Sequence, residues 1–531
     1  MKTGQLWAGL IALPLALAAC TSPPRQAEPS ELFRRALDEV MQRQPMANKV
    51  KPDELEARRE PVVLNLSLDD CIELAMAHNR AILFERLASE VAAADIVGAR
   101  ANLDFRVNAD FNYTRSERPV NTSFPGDTRT TDISSVTNYG IGIVLPFETG
   151  TTVELGGAFV RNDSNSPFQN FEFFPETTLI LRQHLLNGFG FVPNLGPTWL
   201  ADNARRIADL NVTAARNAEA LGVALSYWDL VQAEQELELF RKEEELAREA
   251  AGLAQSRLDA GIGTRLDVLA QEAQIKQSQF SIIQSENVRD QARDNLLRAI
   301  HPNLIGGFQL FRDYKVVINA TTAPDPTAQS AQDPEQLAEV QAALRRRSEM
   351  EQARVRVRNA GINIDMTEHS LLPTLDFEAE FGVNGSGRQA DDSLDNYGEF
   401  ENLRYGAGLR FSAPLQNRAA RANHTRAEIN RRNAILAYQE TETDIILEVL
   451  AAVRNIRSSR LAVAAALEGE RLQEETYKAA SDRQAAELAT PFDVKQALND
   501  LTEAKLNLTR ARINLQRSRL ALMKATGELG R

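Results

Sequence analysis

Two stretches of the chain alternate strictly between apolar and polar residues. Residues 103–113 place an apolar side chain at every second position, and residues 374–383 repeat the pattern. Because successive side chains of a β-strand point to opposite faces, each stretch predicts a strand with one apolar and one polar face. Half-buried strands of soluble proteins also alternate, so the flanking sequence has to distinguish a membrane strand from a soluble one.

Very long helical segments without proline follow these strands. A helix over residues 198–260 would extend about 95 Å, and one over residues 416–487 about 108 Å. Helices of this length occur in coiled coils and tubes, not in compact globules. Each is followed by a turn and a returning helix, which predicts two long helical hairpins at about 198–300 and 416–526.

A shorter helical segment precedes each alternating strand. Residues 66–100 have helical periodicity, with Ser67 as the expected N-cap, and residues 334–372 are the counterpart. The order of helix, strand and long hairpin therefore occurs twice, which predicts an internal two-fold repeat.

The first repeat is longer than the second between its first strand and its long helix. The additional residues include alternating runs at 139–145 and 153–159, which predict an extra strand hairpin. We expect longer polar loops at 116–137 and 161–175, at the opposite end of the strands. Short turns at one end and long loops at the other are typical of outer-membrane barrels.

The two turns between the paired long helices carry the same chemistry. Thr264 and Asp267 in the first have the spacing of Thr490 and Asp493 in the second. A threonine three residues before an aspartate at a helix start predicts a capping box. A structural cap is therefore one interpretation of all four residues.

The amino terminus resembles a bacterial lipoprotein signal. Residues 1–19 form a short apolar leader, and Cys20 stands where a lipobox cysteine would carry a diacylglycerol. Ordinary cleavage that leaves Cys20 unmodified is the alternative. Residues 20–62 are rich in proline and charge and are expected to tether the lipid to the body. The other cysteine, Cys71, is expected to be a buried apolar residue.

Composition excludes several classes of function. The net charge of -13 and the interleaved basic residues argue against a nucleic-acid partner. The scattered histidines match no metal-binding or catalytic motif, so we expect no enzyme activity, metal or cofactor. They are His78, His184, His301, His369 and His424.

Six predicted strands cannot close a membrane barrel alone, because closure needs about eight strands or more and unpaired edges are not tolerated in hydrocarbon. The barrel must therefore be completed by further copies of the chain. Three copies would supply twelve strands, or eighteen if the extra hairpin joins the wall.

Several segments together resemble the TolC family of outer-membrane efflux proteins. They are the lipobox, "SLDDCIELAMAHNR", "LLPTLDFEAEF", "LRQHLLNGFG", "YWDLVQAEQELEL" and "AGIGTRLDVLAQEAQ". The resemblance implies an α+β membrane protein: a homotrimeric transmembrane β-barrel continued by a long α-helical coiled-coil tunnel in the periplasm. It divides the chain into a first repeat at 63–302, a waist linker at 303–333 and a second repeat at 334–531.

The resemblance also assigns roles to the two turns between the long helices. They would form the periplasmic tip, where Asp493 and Asp267 line the pore constriction. Residues in contact at the tip or with an adaptor would be Gly261, Ile262, Thr264, Arg265, Glu487, Leu488 and Thr490. The best-known member of the family has other residues at the positions of Gln484, Ala489 and Gln496. The contacts that close the tip must therefore differ, and Arg265 is a candidate to supply a substitute contact.

The implied function is an exit duct in the outer membrane, working with a periplasmic adaptor and an inner-membrane pump of the RND or ABC type. Multidrug efflux and peptide or protein export remain alternatives. A rival hypothesis is a lipid-anchored periplasmic coiled-coil scaffold without a pore, which would leave the membrane once its acyl chains are removed.

Overall fold

The computed structural model describes seven segments of the chain. They are residues 62–120, 129–166, 172–300, 316–322, 333–400, 402–486 and 488–529. The predicted leader, Cys20, the tether and most of the waist linker lie outside them. Glu487, a predicted tip residue, also lies outside.

The described residues form eight strands and nine α-helices. The strands are β1 (Val62–Leu66), β2 (Arg106–Pro119), β3 (Thr131–Pro146), β4 (Thr151–Ser164), β5 (Phe173–His184), β6 (Val316–Ala320), β7 (Thr374–Asn384) and β8 (Asn402–Ser412). The helices are α1 (Leu68–His78), α2 (Arg80–Arg100), α3 (Phe191–Asp259), α4 (Arg265–Ile300), α5 (Gln336–Arg346), α6 (Ser348–His369), α7 (Ala390–Gly398), α8 (Arg418–Ala485) and α9 (Pro491–Ala525).

The chain divides into two units. The smaller comprises residues 1–66 and 303–319, of which the structure describes a two-stranded sheet of β1 and β6. The larger unit contains every other described element.

One six-stranded antiparallel sheet lies in the larger unit, in the order β2-β3-β4-β5-β7-β8. The predicted extra hairpin is present as β3 and β4, between β2 and β5. It is therefore an integral part of the sheet. Among the strands that the structure describes, β2 and β8 are the two edges.

The long helices pack side by side. Near the sheet, α2 packs on α3, α3 on α6, and α6 on α8. Farther from it, α4 packs on α3, α3 on α9, and α9 on α8. A cluster of buried residues joins α5, α6, α8 and α9 and includes Ala343, Met350, Ile445, Val449 and Ala525.

Corresponding helices of the two halves have nearly equal lengths. Helices α1 and α5 have 11 residues each, and α2 and α6 have 21 and 22. Helices α3 and α8 have 69 and 68, and α4 and α9 have 36 and 35.

Two expected helices are each interrupted. Helix 66–100 breaks at Asn79, whose backbone is extended at φ -64° and ψ 129° and whose side chain accepts a hydrogen bond from the Ala81 N–H to cap α2. Its counterpart breaks at Arg347, at φ -71° and ψ 129°. The Asn79 side chain is buried, where asparagine favours a cap because its amide satisfies free backbone groups.

Several expected boundaries are wrong. The first strand begins at Arg106, after a short 3₁₀ turn over Ala101–Leu103, and continues to Pro119. The expected loop at 116–137 loses both ends to β2 and β3, because polar residues can also complete a strand ladder. Helix α3 begins at Phe191 and continues through Pro197, which lies inside the helix and removes one intrahelical hydrogen bond there.

Candidate functional site: the sheet faces and the tip turns

The two faces of the six-stranded sheet differ in chemistry. A single register row crosses all six strands through apolar residues only. It consists of Val107, Ile143, Leu155, Leu179, Phe381 and Tyr405. This apolar face is solvent-exposed in the single chain: Tyr405 is 81% exposed and Leu409 is 67% exposed. An exposed apolar face of this extent needs an apolar environment.

The opposite face carries paired charges. Arg182 on β5 donates to Glu154 on β4 at 2.8 Å and to Glu378 on β7 at 3.2 Å. The side chain of His184 lies 2.7 Å from that of Asp376, measured from Nδ1 to Oδ1. These polar contacts run across neighbouring strands, so this polar face suits contact with water.

The turn between β3 and β4 is fixed to the corner where β5 leads into α3. The Gly190 N–H donates to the Thr149 carbonyl at 3.1 Å. Gly150 has φ +80°, and a Cβ there would lie 2.3 Å from the Gly188 carbonyl oxygen. Asn194 donates to the Gly188 and Gly190 carbonyls at 2.9 and 2.7 Å. Glycine at position 150 is therefore required for the turn to reach this corner.

Helices at the lateral edges of the larger unit carry exposed apolar side chains opposite their buried sides. On α2, Phe84, Leu87 and Val91 recur at helical spacing, and on α4 Phe280 and Ile283 do the same. On α8 the stripe lies opposite the buried Ile445, Val449 and Ile456. It consists of Ile429, Leu436, Leu447, Leu461 and Leu472.

The first tip turn, residues 260–264, is closed by its own backbone. Gly261 has φ +77°, and the N–H groups of Ile262 and Gly263 each donate to the Arg257 carbonyl at 3.0 Å. A positive φ just past a helix end is typical of the αL termination that glycine favours.

The capping boxes predicted at both turns are confirmed. The Thr264 N–H and hydroxyl donate to Asp267 Oδ2 at 3.0 and 2.7 Å. The Thr490 N–H and hydroxyl donate to Asp493 Oδ2, both at 2.8 Å. Hydrogen bonds from the Thr264 side chain, then its backbone, lower the pKa of Asp267. The pKa of Asp493 is lowered first by the hydrogen bond from the Thr490 backbone and then by the one from its side chain.

The two tip turns are joined by a side chain that the sequence did not indicate. Arg257 Nη2 donates to the Gln484 carbonyl at 2.9 Å. That carbonyl belongs to the last turn of α8, where helix carbonyls lack intrahelical partners. Arg265, the expected substitute for the closing contacts, lies exposed at the start of α4.

Exposed apolar side chains protrude at both tip turns. Ile262 is 68% exposed and Leu488 is 70% exposed. Leu266 and Phe492, which the sequence analysis missed, are exposed to similar extents. Leu266 lies four residues after Ile262, and Phe492 lies four residues after Leu488. Because both pairs are related by the same offset of 226 residues, aligning the two turns could have revealed Leu266 and Phe492.

A buried polar cluster lies deeper between the helices. Glu243 on α3 accepts hydrogen bonds from Gln274 Nε2 at 3.0 Å and from the Ser278 hydroxyl at 3.2 Å. Gln274 also donates to Asn499 on α9 at 3.0 Å. Burial raises the pKa of Glu243, and the two hydrogen bonds oppose that rise.

Within the described ranges, no group of three or more His, Cys, Asp and Glu side chains has the geometry to hold a metal ion. None of the helices described combines the length and apolarity that a membrane crossing requires.

Comparison with known proteins decides the family. Residues 198–300 and 340–528, more than half of the chain, match the family described as outer membrane efflux protein. The chain belongs to the outer membrane efflux protein family. As an outer membrane efflux protein it is located in the outer membrane and extends into the periplasm. The family consists of channel proteins, which supports the expectation that the chain is not an enzyme.

Solved structures of outer-membrane proteins share the fold of this efflux protein, which confirms the TolC-like resemblance. A membrane protein of Pseudomonas aeruginosa matches with a TM-score of 0.64 and 18% identity, over 86% of this chain and 93% of that one. VceC of Vibrio cholerae matches with a TM-score of 0.61 and 16% identity, over 87% of this chain and 96% of that one. The open state of the MtrE channel of Neisseria gonorrhoeae matches with a TM-score of 0.60 and 16% identity, over 87% of this chain and 89% of that one. No curated protein sequence matches the chain.

Proposed function

We propose that this outer membrane efflux protein is the exit duct of a tripartite efflux or secretion system. Three copies close one β-barrel in the outer membrane and one helical tunnel in the periplasm. Substrate enters from a periplasmic adaptor and an inner-membrane RND or ABC pump. The tip turns at 260–264 and 486–490 gate its entry.

The observation that carries this proposal is the two-faced sheet with two unpaired edges. In hydrocarbon, a sheet edge leaves backbone groups without partners, at a cost of several kcal/mol each, so a spanning sheet must close on itself. Along β7, the apolar positions from Leu375 to Val383 span about 26 Å at 3.3 Å per residue, or about 20 Å along the membrane normal at a tilt of about 40°. This height covers most of the apolar band of outer-membrane barrels, which is about 25 Å tall.

The helical edges support closure by identical copies. The exposed stripes on α2 and α4 lie at one lateral edge: α2 directly precedes the edge strand β2, and α4 packs on α3 as α2 does. The stripe on α8 lies at the other edge, because α8 follows the edge strand β8. If one edge of a copy contacts the opposite edge of the next, the interface is head-to-tail. Head-to-tail interfaces form closed rings when the rotation from one copy to the next adds up to a full turn. Burying these leucine, isoleucine and phenylalanine side chains would contribute about 1.5–3 kcal/mol each.

At the tip, we assign different roles to the aspartates and the apolar residues. Asp493 and Asp267 would ring the constriction, where focused negative potential favours cations. The exposed pairs Ile262 with Leu266 and Leu488 with Phe492 would contact the adaptor. The open state of MtrE is a property of that channel, and we extend a gated tip to this chain by analogy.

Two measurements on purified protein test the proposal. Native mass spectrometry in detergent should give a trimer. Planar-bilayer recordings should then show discrete, cation-selective channels, with lower selectivity in Asp493→Ala. A monomeric sample, or a trimer that stays silent even with an opened tip, would overturn the channel assignment.

The rival scaffold hypothesis is tested by removing the lipid. A Cys20→Ala variant carrying a cleavable export signal should stay in the outer membrane after alkaline carbonate extraction, because its apolar sheet face holds it there. Release of the variant into the soluble fraction would favour the scaffold.

A further inference from the structure

We infer that Arg483 joins neighbouring copies at the tip. Its guanidinium donates to the Leu258 carbonyl of the next copy, as the Arg257 guanidinium donates to the Gln484 carbonyl within one chain. This inference rests on the trimer proposed above. It follows from the internal repeat, because three copies of a duplicated chain place six similar units in one ring.

Arg483 is the counterpart of Arg257 in the second half of the chain. The two lie 226 residues apart, the offset that also relates the two tip turns. Each uses its carbonyl to close its own turn. That of Arg257 accepts from the Ile262 N–H at 3.0 Å, and that of Arg483 accepts from the Leu488 N–H at 2.8 Å. The two arginines therefore hold equivalent positions.

The side chains of the two arginines differ in what they reach. Arg257 is half-buried, and its guanidinium bonds to the Gln484 carbonyl at 2.9 Å. Arg483 is exposed in the single chain, where its guanidinium makes a long hydrogen bond of 3.4 Å to the Leu488 carbonyl of its own turn. In the ring, the first half of the next copy follows the second half of this one. Arg483 therefore gains there the kind of neighbour that Arg257 has in its own chain.

The acceptor is identified by the same offset. The residue 226 positions before Gln484 is Leu258, in the last turn of α3. Its carbonyl accepts from the Gly261 N–H at 2.9 Å, and a carbonyl oxygen has a second lone pair for Arg483.

The packing of α3 on α6 within the chain provides an independent check of this ring. The long helices α3 and α8 end at equivalent residues 226 apart, whereas the breaks at Asn79 and Arg347 relate α2 to α6 by 268 residues. Where α3 meets α6, Asn203 donates to Asn359 Oδ1 at 2.7 Å. In the ring, the corresponding residues must meet where α8 contacts α2 of the next copy.

These corresponding residues are matched in chemistry. Asn203 corresponds to Ile429 on α8, and Asn359 corresponds to Val91 on α2. In the single chain these two apolar side chains are 51% and 62% exposed. The joint between copies thus pairs two exposed apolar residues where the joint within the chain pairs two amides.

A second contact transfers in the same way. Gln352 on α6 donates to Asn211 Oδ1 on α3 at 2.9 Å. The corresponding residues are Phe84 on α2 and Ala437 on α8, both exposed in the single chain. Their meeting between copies would cover another apolar pair.

One ion pair is not repeated. Arg206 on α3 pairs with Glu351 on α6 at 2.7 Å, and the corresponding residues are Arg432 and Leu83. The joint between copies is therefore the more apolar of the two, which agrees with the exposed stripes on α8 and α2.

The tip is then closed by six arginine bonds. Three lie within the chains at Arg257, and three join the copies at Arg483. Opening widens the ring, so it must lengthen the joints between copies as well as those within each chain. Because the acceptor is a backbone carbonyl, the contact depends on the arginine and not on the side chain at position 258.

Cross-linking tests which copy Arg483 contacts. Leu258→Cys and Arg483→Cys are combined in the Cys20→Ala variant described above and treated with a short bis-maleimide. The native Cys71 is buried. The inferred contact gives covalent trimers on a denaturing gel, because each copy is joined to the next.

The matched control pair lies within one chain. Arg257→Cys and Gln484→Cys are combined in the same background. Their cross-link should form inside each copy and leave the chain at the mass of a monomer.

Single-channel recording tests whether the contact holds the tip closed. Arg483→Gln should raise the ratio of open to closed channels by about tenfold or more, since each trimer loses three hydrogen bonds with a charged donor. Arg483→Lys keeps a charged donor and should lie between Arg483→Gln and the wild type. Arg471→Gln, at an exposed arginine earlier on α8, is the control and should behave like the wild type.

The outcomes separate this inference from the proposed function. A cross-link between positions 258 and 483 inside one chain, or none where the control pair cross-links, would overturn the inference and leave the trimer intact. Equal open probabilities in Arg483→Gln and Arg471→Gln would also overturn it. A monomer by native mass spectrometry would instead refute the proposed function.

Discussion

The guanidinium of Arg257 donates a 2.9 Å hydrogen bond to the backbone carbonyl of Gln484 and so joins the ends of the two helical hairpins. The carbonyl of the same Arg257 accepts the two N–H groups that close the first tip turn. One residue therefore holds the first turn in shape and fixes it to the second. In the proposed channel, the two turns would have to separate when the tip opens.

Arg257→Gln should make the tip easier to open. A hydrogen bond with a charged donor contributes about 1.5 kcal/mol, which corresponds to roughly a tenfold change in the ratio of open to closed channels. Single-channel recording of open probability checks this. Arg248→Gln, at an exposed arginine nine residues before Arg257 on α3, is the matched control and should behave like the wild type. Equal open probabilities in all three proteins would remove Arg257 from the gate.

The two roles of Asp493 can be separated by substitution. Asp493→Asn keeps an oxygen that accepts from Thr490 but loses the charge, whereas Thr490→Ala removes the cap and keeps the charge. If Asp493 lines the constriction, cation selectivity falls only in Asp493→Asn. Loss of helix stability, typically about 1 kcal/mol for a lost N-cap, should appear in Thr490→Ala. Reversal potentials in a salt gradient measure cation selectivity, and thermal unfolding measures helix stability. Unchanged selectivity in Asp493→Asn would mean that Asp493 serves only as part of the cap.

Acid should weaken both capping boxes. The folded-state pKa values of Asp267 and Asp493 lie below the unfolded value of 3.8, so the stability from these carboxylates is fully present above that pH. It is lost as the pH falls from there through the folded values. The protection factors of the amides of α4 and α9 nearest the tip, which compare exchange with its intrinsic rate at the same pH, should therefore fall below about pH 4 before those elsewhere. A uniform fall in protection along both helices would contradict a local effect.

Glu243→Gln should stabilise the protein at neutral pH. Because burial raises the pKa of Glu243 in the folded state above 4.5, the ionised carboxylate lowers stability as the pH rises from 4.5 through the folded value. The amide can still accept from Gln274 and Ser278 without carrying a charge. The apparent melting temperature of the variant should exceed that of the wild type at pH 7, and the difference should vanish near pH 4. Glu245→Gln, on the exposed side of α3, is the control. An unchanged melting temperature in Glu243→Gln would show that the buried charge costs no stability, and a lower one would show that the charge is needed.

The assignment of the two sheet faces predicts opposite tolerance at adjacent positions. Leu409 lies on the apolar face of β8, and a Cβ at the neighbouring Gly408 would meet no atom within 4 Å. Leu409→Arg should impair folding into lipid vesicles by about 2–4 kcal/mol, whereas Gly408→Arg, on the polar face, should fold normally. Heat-modifiable gel mobility after refolding reports the folded fraction. Equal yields from the two variants would mean that neither face contacts lipid.

The sequence predicted elements whose signal is periodic. The alternating residues of β7 and the long proline-free stretches of α3 and α8 each follow one period over many residues, so both strand and helix type were evident. The paired Thr264 and Asp267 revealed their capping box because its spacing is fixed by helix geometry. These local signals do not depend on the rest of the fold.

Features that depend on tertiary contacts were missed. Asn79 ends a helix because its buried amide caps the next one, and nothing in its neighbours interrupts the helical periodicity. The contact of Arg257 with Gln484 joins residues 227 apart, and its acceptor is a backbone carbonyl, which any residue type provides. The acidic helix α7 between β7 and β8 was also unexpected. It is held by the bond between Tyr397 and Thr177, 220 residues apart.

The arginine that bridges two carboxylates on the polar face of the sheet has a consequence for traffic through the exit. Because Arg182 is shared between Glu154 and Glu378, and Arg404 is paired with Glu380, each of these charges has a counter-charge within its own wall. A departing solute would meet closely spaced dipoles and bound water instead of isolated ions. Such a surface wets readily yet holds nothing strongly, so molecules of either sign can slide off it and diffuse away.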